Sequence, residues 1–220
     1  VRNADITNDA LTTYDDGETD EYYWIGVDVD ANLGAASVWA TLIYNGGTNE
    51  VRGGSDIDTS AWLAAVGGQF DLNEALEIHG QVVYSTGDDN AKDHDNDAFV
   101  LAPGASYYWS EIMGYGLFDN QASNGAPADQ ISNIGFIGLG ATFAVSEKLT
   151  IGGDVWYAQL DEDNAKGDDN LGTEVDFKAT YQVIEGLTLD VVAAYLFADD
   201  ATTLDASADE DPYEFGAQLS

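Results

Sequence analysis

The chain has 220 residues, with 41 Asp and Glu against 6 Lys and Arg, a formal net charge of −35. That balance excludes nucleic acid as a partner, because binding it requires a cationic face. No cysteine and no apolar run of about 18 residues occur, so the sequence offers neither a disulfide framework nor a membrane helix.

Residues 1–21 are polar and acidic and read as loop. From 22 to 30 (YYWIGVDVD) the chain alternates, with Tyr23, Ile25, Val27 and Val29 on one face and Trp24, Gly26, Asp28 and Asp30 on the other. A short turn at 31–34 leads to a second strand at 35–44, and the glycine-rich stretch 45–58 reads as a loop. Strands at 60–70 and 76–84 follow, then the longest irregular stretch, 85–132. Further strands are expected at 134–145, 149–160, 172–183, 187–197 and 212–220, about nine in all.

One pattern recurs three times. Residues 70–84 (FDLNEALEIHGQVVY), 143–157 (FAVSEKLTIGGDVWY) and 181–195 (YQVIEGLTLDVVAAY) align without gaps. An aromatic opens and closes each copy, and Glu74, Glu147 and Glu185 mark a tight turn. Each is a β-hairpin with a period-two apolar row. Rings at both ends of such a row suit a strand crossing a bilayer, with an aromatic at each interface. Short turns (31–34, 71–75, 146–148, 184–186) also alternate with long acidic loops, the pattern of an outer-membrane barrel. The mean hydropathy of −0.20 fits, since only alternate strand residues would meet lipid.

The segments YYWSEIMGYGLFDN, SNIGFIGLGATFAVSEKLTIGGDVWYAQLDED, LGTEVDFKATYQVIEGLTLDVVAAYLFADD and DPYEFGAQLS resemble the C-terminal half of Gram-negative outer-membrane porins. The likeness is to those of sulfate- and metal-reducing bacteria and to alginate-export-type barrels. It covers residues 98–220 well and 22–97 loosely. It implies an all-β, antiparallel transmembrane barrel of 16–18 strands, of which residues 1–220 would be a single domain incomplete at both ends. It also implies an outer-membrane location beside lipid and lipopolysaccharide, and a homotrimer. In general porins one long loop narrows the lumen. The resemblance assigns that role to 85–132, with Tyr107, Tyr108, Trp109, Glu111 and Tyr115 at the constriction.

The polar phase of the strands gives the expected pore lining: Asp28, Asp30, Glu77, Asp154, Glu174, Asp176, Lys178, Asp190 and Glu214. An acidic wall concentrates cations and repels anions, so the expected activity is passive diffusion of small hydrophilic solutes through a cation-preferring, water-filled pore. Asp93, Asp95 and Asp97 in one loop, and Asp161, Asp163, Asp168 and Asp169 in another, offer hard oxygen ligands to Ca²⁺, although neither loop has the EF-hand spacing. No enzyme is expected: only His79 and His94 are present, and no Ser-His or Asp-His arrangement stands out. The alternative is an acidic, Ca²⁺-dependent all-β adhesin or layer-forming surface protein, which would bury its aromatics in a sandwich core.

Overall fold

The computed structural model describes residues 4–5, 20–50, 54–90, 92–102, 107–114, 116–117, 131–202 and 211–220. Among these residues there is no helix, and every strand belongs to one sheet. The strands are β1 (Ala4–Asp5), β2 (Asp20–Asn32), β3 (Ala36–Asn49), β4 (Ile57–Asp71), β5 (Leu76–Ser85), β6 (Asp95–Asn96), β7 (Ile134–Ser146), β8 (Leu149–Leu160), β9 (Asn170–Ile184), β10 (Leu187–Ala198) and β11 (Tyr213–Leu219). Apart from β6, they pair in chain order as an antiparallel meander. β6 lies parallel to β4, with Asp58 opposite Asp95. Among the described residues the sheet is not closed: β1 pairs only with β2 and β11 only with β10. The barrel expectation is therefore met as far as an all-β meander, and not as far as closure.

The tight turns all fall on one edge of the sheet. Asn73 Oδ1 accepts from the backbone N–H of Ala75 and Leu76, at 2.9 and 3.1 Å. Ser146 Oγ does the same for Lys148 and Leu149, at 3.3 and 3.1 Å. Such side chains satisfy turn donors that the ladder leaves free. In the third turn Gly186 takes φ +80°, a left-handed conformation that a side chain would strain.

The three sequence repeats share one register. Phe70 pairs with Ile78, Phe143 with Ile151 and Tyr181 with Leu189. In each copy the closing aromatic, Tyr84, Tyr157 or Tyr195, stands six positions further along on the same face. Six residues rise about 20 Å along a strand.

The stretch read as a loop at 45–58 is shorter than the sequence suggests. β3 runs on through Gly46 and Gly47, which pair with Ser60 and Thr59. The glycines are packing residues here: a Cβ on Gly46 would lie 2.5 Å from the Tyr23 ring, which covers that position from the next strand. Glycine spares the ring that clash and keeps the ladder intact.

The two faces of the sheet differ. One carries Ile25, Val27, Val29, Val66, Val82, Leu139, Val155, Phe177 and Phe215, all exposed. The other, here called the inner face, holds the buried residues. Near the long-loop edge these are Ala61, Leu63, Ala65, Val83, Ile134, Phe136, Trp156, Ala158 and Leu196, joined by Phe99, Trp109 and Met113 from the long loop.

Candidate functional site: the inner face

Cross-strand register orders the inner face into layers. Nearest the long loops lies the row Ile43, Leu63, Ser85 and Ile134, then the row Thr41, Ala65, Val83, Phe136 and Ala158. The next row runs Asp30, Trp39, Gly67, Gln81, Gly138, Trp156, Glu174 and Leu196. Below it come Ser37, Gln69, His79, Gly140, Asp154, Asp176, Ala194 and Glu214. The inner face thus passes from apolar, through a row holding two indoles, to polar and acidic toward the tight turns.

The long loop packs into the apolar end. Trp109 stacks on Phe136, with ring centroids 3.9 Å apart and planes at 9°. It meets Trp156 edge-on at 5.5 Å and 77°. Stacked and edge-to-face pairs add to the burial each ring already gains. Upstream, Val100 N–H donates to Asn45 Oδ1 at 3.1 Å, while Trp24 Nε1–H donates to the Val100 carbonyl at 2.8 Å.

A carboxylate anchors the loop. Glu174 is fully buried, at 0% exposed. Its Oε1 accepts from the N–H of Glu111 and Ile112 at 2.9 and 2.7 Å, and its Oε2 from Met113 N–H at 2.8 Å. A charged acceptor that takes several backbone donors makes strong bonds and satisfies a turn that would otherwise carry orphan N–H groups. Asp176 Oδ2 shares the Glu111 N–H with Glu174, at 3.3 Å. The Glu111 side chain turns back, its Oε2 accepting from Leu117 N–H at 2.7 Å. Burial pushes the Glu111 carboxyl above the usual range, with the Leu117 N–H bond and then nearby Lys178 opposing, and Glu174 and Asp154 adding to the rise. Tyr107 donates to Gln81 Oε1 at 2.5 Å, and burial pushes its phenol up to about 12.

All nine residues expected to line a pore lie on the inner face, but they differ in setting. Asp154 Oδ1 meets His79 Nε2 at 2.7 Å, and Glu77 approaches His79 Nδ1 at 3.4 Å. Asp28 accepts from the Thr41 hydroxyl. Asp190 Oδ1 accepts from Thr180 Oγ1 at 2.6 Å. Glu174 and Asp176 are covered by the loop, and Lys178 stands on the same face one row below Asp176. Asp28 and Asp30 lie on β2 toward one edge, and Glu214 lies on β11 at the other.

Of the five loop residues, Tyr107, Trp109 and Glu111 reach the inner face. Tyr108 is 64% exposed, and Tyr115 lies outside the described residues. Among the described residues no three acidic or imidazole side chains converge as a metal site. Of the acids considered as Ca²⁺ ligands, the side chains of Asp93 and Asp161 already accept hydrogen bonds within the protein. Asp93 accepts from Asn90 Nδ2 and Asp95 N–H, at 3.2 and 3.1 Å. Asp161 accepts from Tyr84 Oη and Gly87 N–H, each at 2.8 Å. Asp97 and Asp169 use their backbone carbonyls, accepting from Thr86 Oγ1 at 2.5 Å and Leu160 N–H at 2.7 Å. Asp168 donates its N–H to Asn164 Oδ1 at 3.1 Å, and Asp163 is exposed beside them.

Sequence reasoning missed Gln81, Trp156, Phe136 and Asn45 as partners of the loop, and Trp39 as a half-buried ring on the same face. A signal existed: Trp39 and Trp156 stand in the polar phase of their strands, with glycines at Gly67 and Gly138 directly opposite.

No family model and no curated protein matches this chain. Among solved structures it is similar to one described as "NanC porin structure in rhombohedral crystal form". The identity is 13% and the TM-score 0.40, over 90% of this chain and 93% of that chain.

Proposed function

We propose that this chain is an outer-membrane porin: a water-filled, cation-preferring channel for passive diffusion of small hydrophilic solutes across a Gram-negative outer membrane. The observation that carries the reading is the inverted polarity of the sheet. Large apolar side chains from nine strands are exposed on the outer face, Leu139 at 66% and Phe215 at 75%, while Asp154, Asp176 and Asp190 face inward. Among the described residues no second sheet covers that outer face. A water-exposed surface of this extent is unfavourable, at roughly 25 cal/mol per Å² of apolar area. In lipid the same surface is at home.

The aromatic rows support it. Phe70, Phe143 and Tyr181 lie toward the tight-turn edge, and Trp62, Tyr84, Tyr157 and Tyr195 toward the loop edge, all on the outer face. Rings so placed suit the two bilayer interfaces. An adhesin sandwich would bury them instead.

A membrane sheet must have no open edge. β2 and β11 run in the same direction, being first and ninth in an antiparallel series. A strand between them must run opposite to both, and β1, antiparallel to β2, has that direction. In this reading residues 107–117 narrow the lumen, three such barrels form a homotrimer, and the acidic loops face lipopolysaccharide.

Planar-bilayer recording under a KCl gradient tests the function. Steady single-channel conductance with a reversal potential of cation-preferring sign supports it. Protein that inserts, folds and carries no current removes the diffusion role.

A further inference from the structure

We infer that the inner face carries a subsite for one neutral sugar ring, on the indole of Trp39 and bordered by Trp156. The inference rests on the channel reading for its biological setting, not for its chemistry. A cavity of about 200 Å³ opens there, lined by Ser37, Trp39, Gln69, His79, Gln81 and Trp156. Ligand sites for drug-sized molecules hold roughly 300–1,000 Å³. The smaller volume suits a single ring.

Glycine shapes the walls. A Cβ on Gly67 would sit 2.5 Å from the Trp39 ring, and one on Gly138 would collide with Trp156. Each indole can therefore cross its neighbouring strand, on either side of Gln81 in the same row. Trp39 is half-buried and offers its indole as an apolar platform for the C–H face of a sugar, while Trp156, 6% exposed and packed on Trp109 and Phe136, closes one side of the cavity.

The polar groups around the platform are open. The Ser37 hydroxyl and the Gln69 amide make no side-chain hydrogen bond among the described residues. Gln81 Oε1 is taken by Tyr107, which leaves its amide N–H groups. Hydroxyls and amides both donate and accept, as sugar hydroxyls do.

Charge selects a neutral ligand. Among the described residues no carboxylate lines the cavity, and His79 meets Asp154 and Glu77 through its two ring nitrogens. An organic cation finds no counter-ion in the wall. An anionic sugar meets a chain with 41 acids and 6 bases and no basic track to neutralise it.

The test is titration of the folded full chain with D-glucose, by calorimetry, in an amine-oxide detergent that carries no sugar headgroup. Choline and D-glucuronate are titrated in parallel at equal ionic strength. Saturable glucose binding that exceeds both, weakened about three- to tenfold by Trp39→Ala, supports the subsite. Gln69→Ala, an exposed and structurally mild change, weakens it too. No saturable glucose binding, glucose binding unchanged in both variants, or choline binding above glucose overturns it. Conductance separates the two readings. A conducting channel that ignores glucose removes the subsite alone, while a chain that binds glucose and carries no current removes the channel and keeps the subsite.

Discussion

Glu174 Oε2 accepts the backbone N–H of Met113 at 2.8 Å, across 61 residues of sequence and from a fully buried position. With the bonds from Glu111 and Ile112, this one carboxylate fixes the turn that seats Trp109 on Phe136. Glu174→Gln keeps the size but places an NH₂ group against N–H donors. We expect a loss of about 3 kcal/mol for the loop's seating. Limited proteolysis should then cut within 107–117 before the strands, and single-channel conductance should rise. Conductance and cleavage equal to the parent chain would mean that stacking alone holds the loop.

The outer face gives a sharper test of the membrane reading. Leu139 is exposed midway along β7, opposite Gly80 and Val155. Arginine there should cost about 2–4 kcal/mol when the protein is folded in lipid vesicles. Thr142→Arg, on the inner face of the same strand and opposite Glu77, should be nearly neutral. Equal urea midpoints for the two variants would place the outer face in water.

The hairpins were legible because two signals agreed: the period-two apolar row of 76–84 and the gap-free threefold repeat with Glu74, Glu147 and Glu185 at its turns; the turn bonds of Asn73 and Ser146 came only with the structure. The long-loop half of the inner face was not. In residues 134–139 (IGFIGL) and 191–197 (VVAAYLF) both phases are apolar, so alternation loses its meaning there. Physically, one phase of each run faces outward and the other faces the packed loop. Gly46 and Gly47 misled for a related reason. Glycine marks a loop by itself, and only the ring of Tyr23 across the ladder reveals it as a strand residue. The Glu174 anchor had no local signature at all, since its partners are backbone donors more than 60 residues away.

Gly138 provides a packing test independent of charge. Its missing side chain is filled by the Trp156 indole, which in turn meets Trp109 and Phe136. Gly138→Ala should displace the indole and cost about 1–3 kcal/mol, as overpacking does. Near-ultraviolet circular dichroism should lose the signal of the edge-on Trp109–Trp156 pair while the far-ultraviolet strand signal stays. An unchanged near-ultraviolet spectrum would show that the ring has room elsewhere.

Acid loops should make the fold less stable as pH rises. Burial, then Asp89, Asp88, Asp95 and Asp93, push the Asp97 carboxyl above its ordinary value. Burial, then Asp161, Asp89, Asp163 and Asp88, do the same to Glu162. Glu111 shifts the same way, chiefly through burial. Each folded-state pKa exceeds the unfolded one, so the folded chain holds these protons more tightly. Their stabilising effect is complete below the ordinary carboxylate range, near about pH 4, and is lost as pH climbs through the raised values. The urea midpoint should therefore be higher at about pH 5 than at about pH 8. Added salt should narrow the gap, because the loop charges are exposed and screened over about 8 Å at physiological ionic strength. Glu111→Gln should remove its share of the slope without removing the salt dependence. A midpoint that rises from the lower to the higher pH would reverse the sign and show that paired, lowered carboxylates dominate instead.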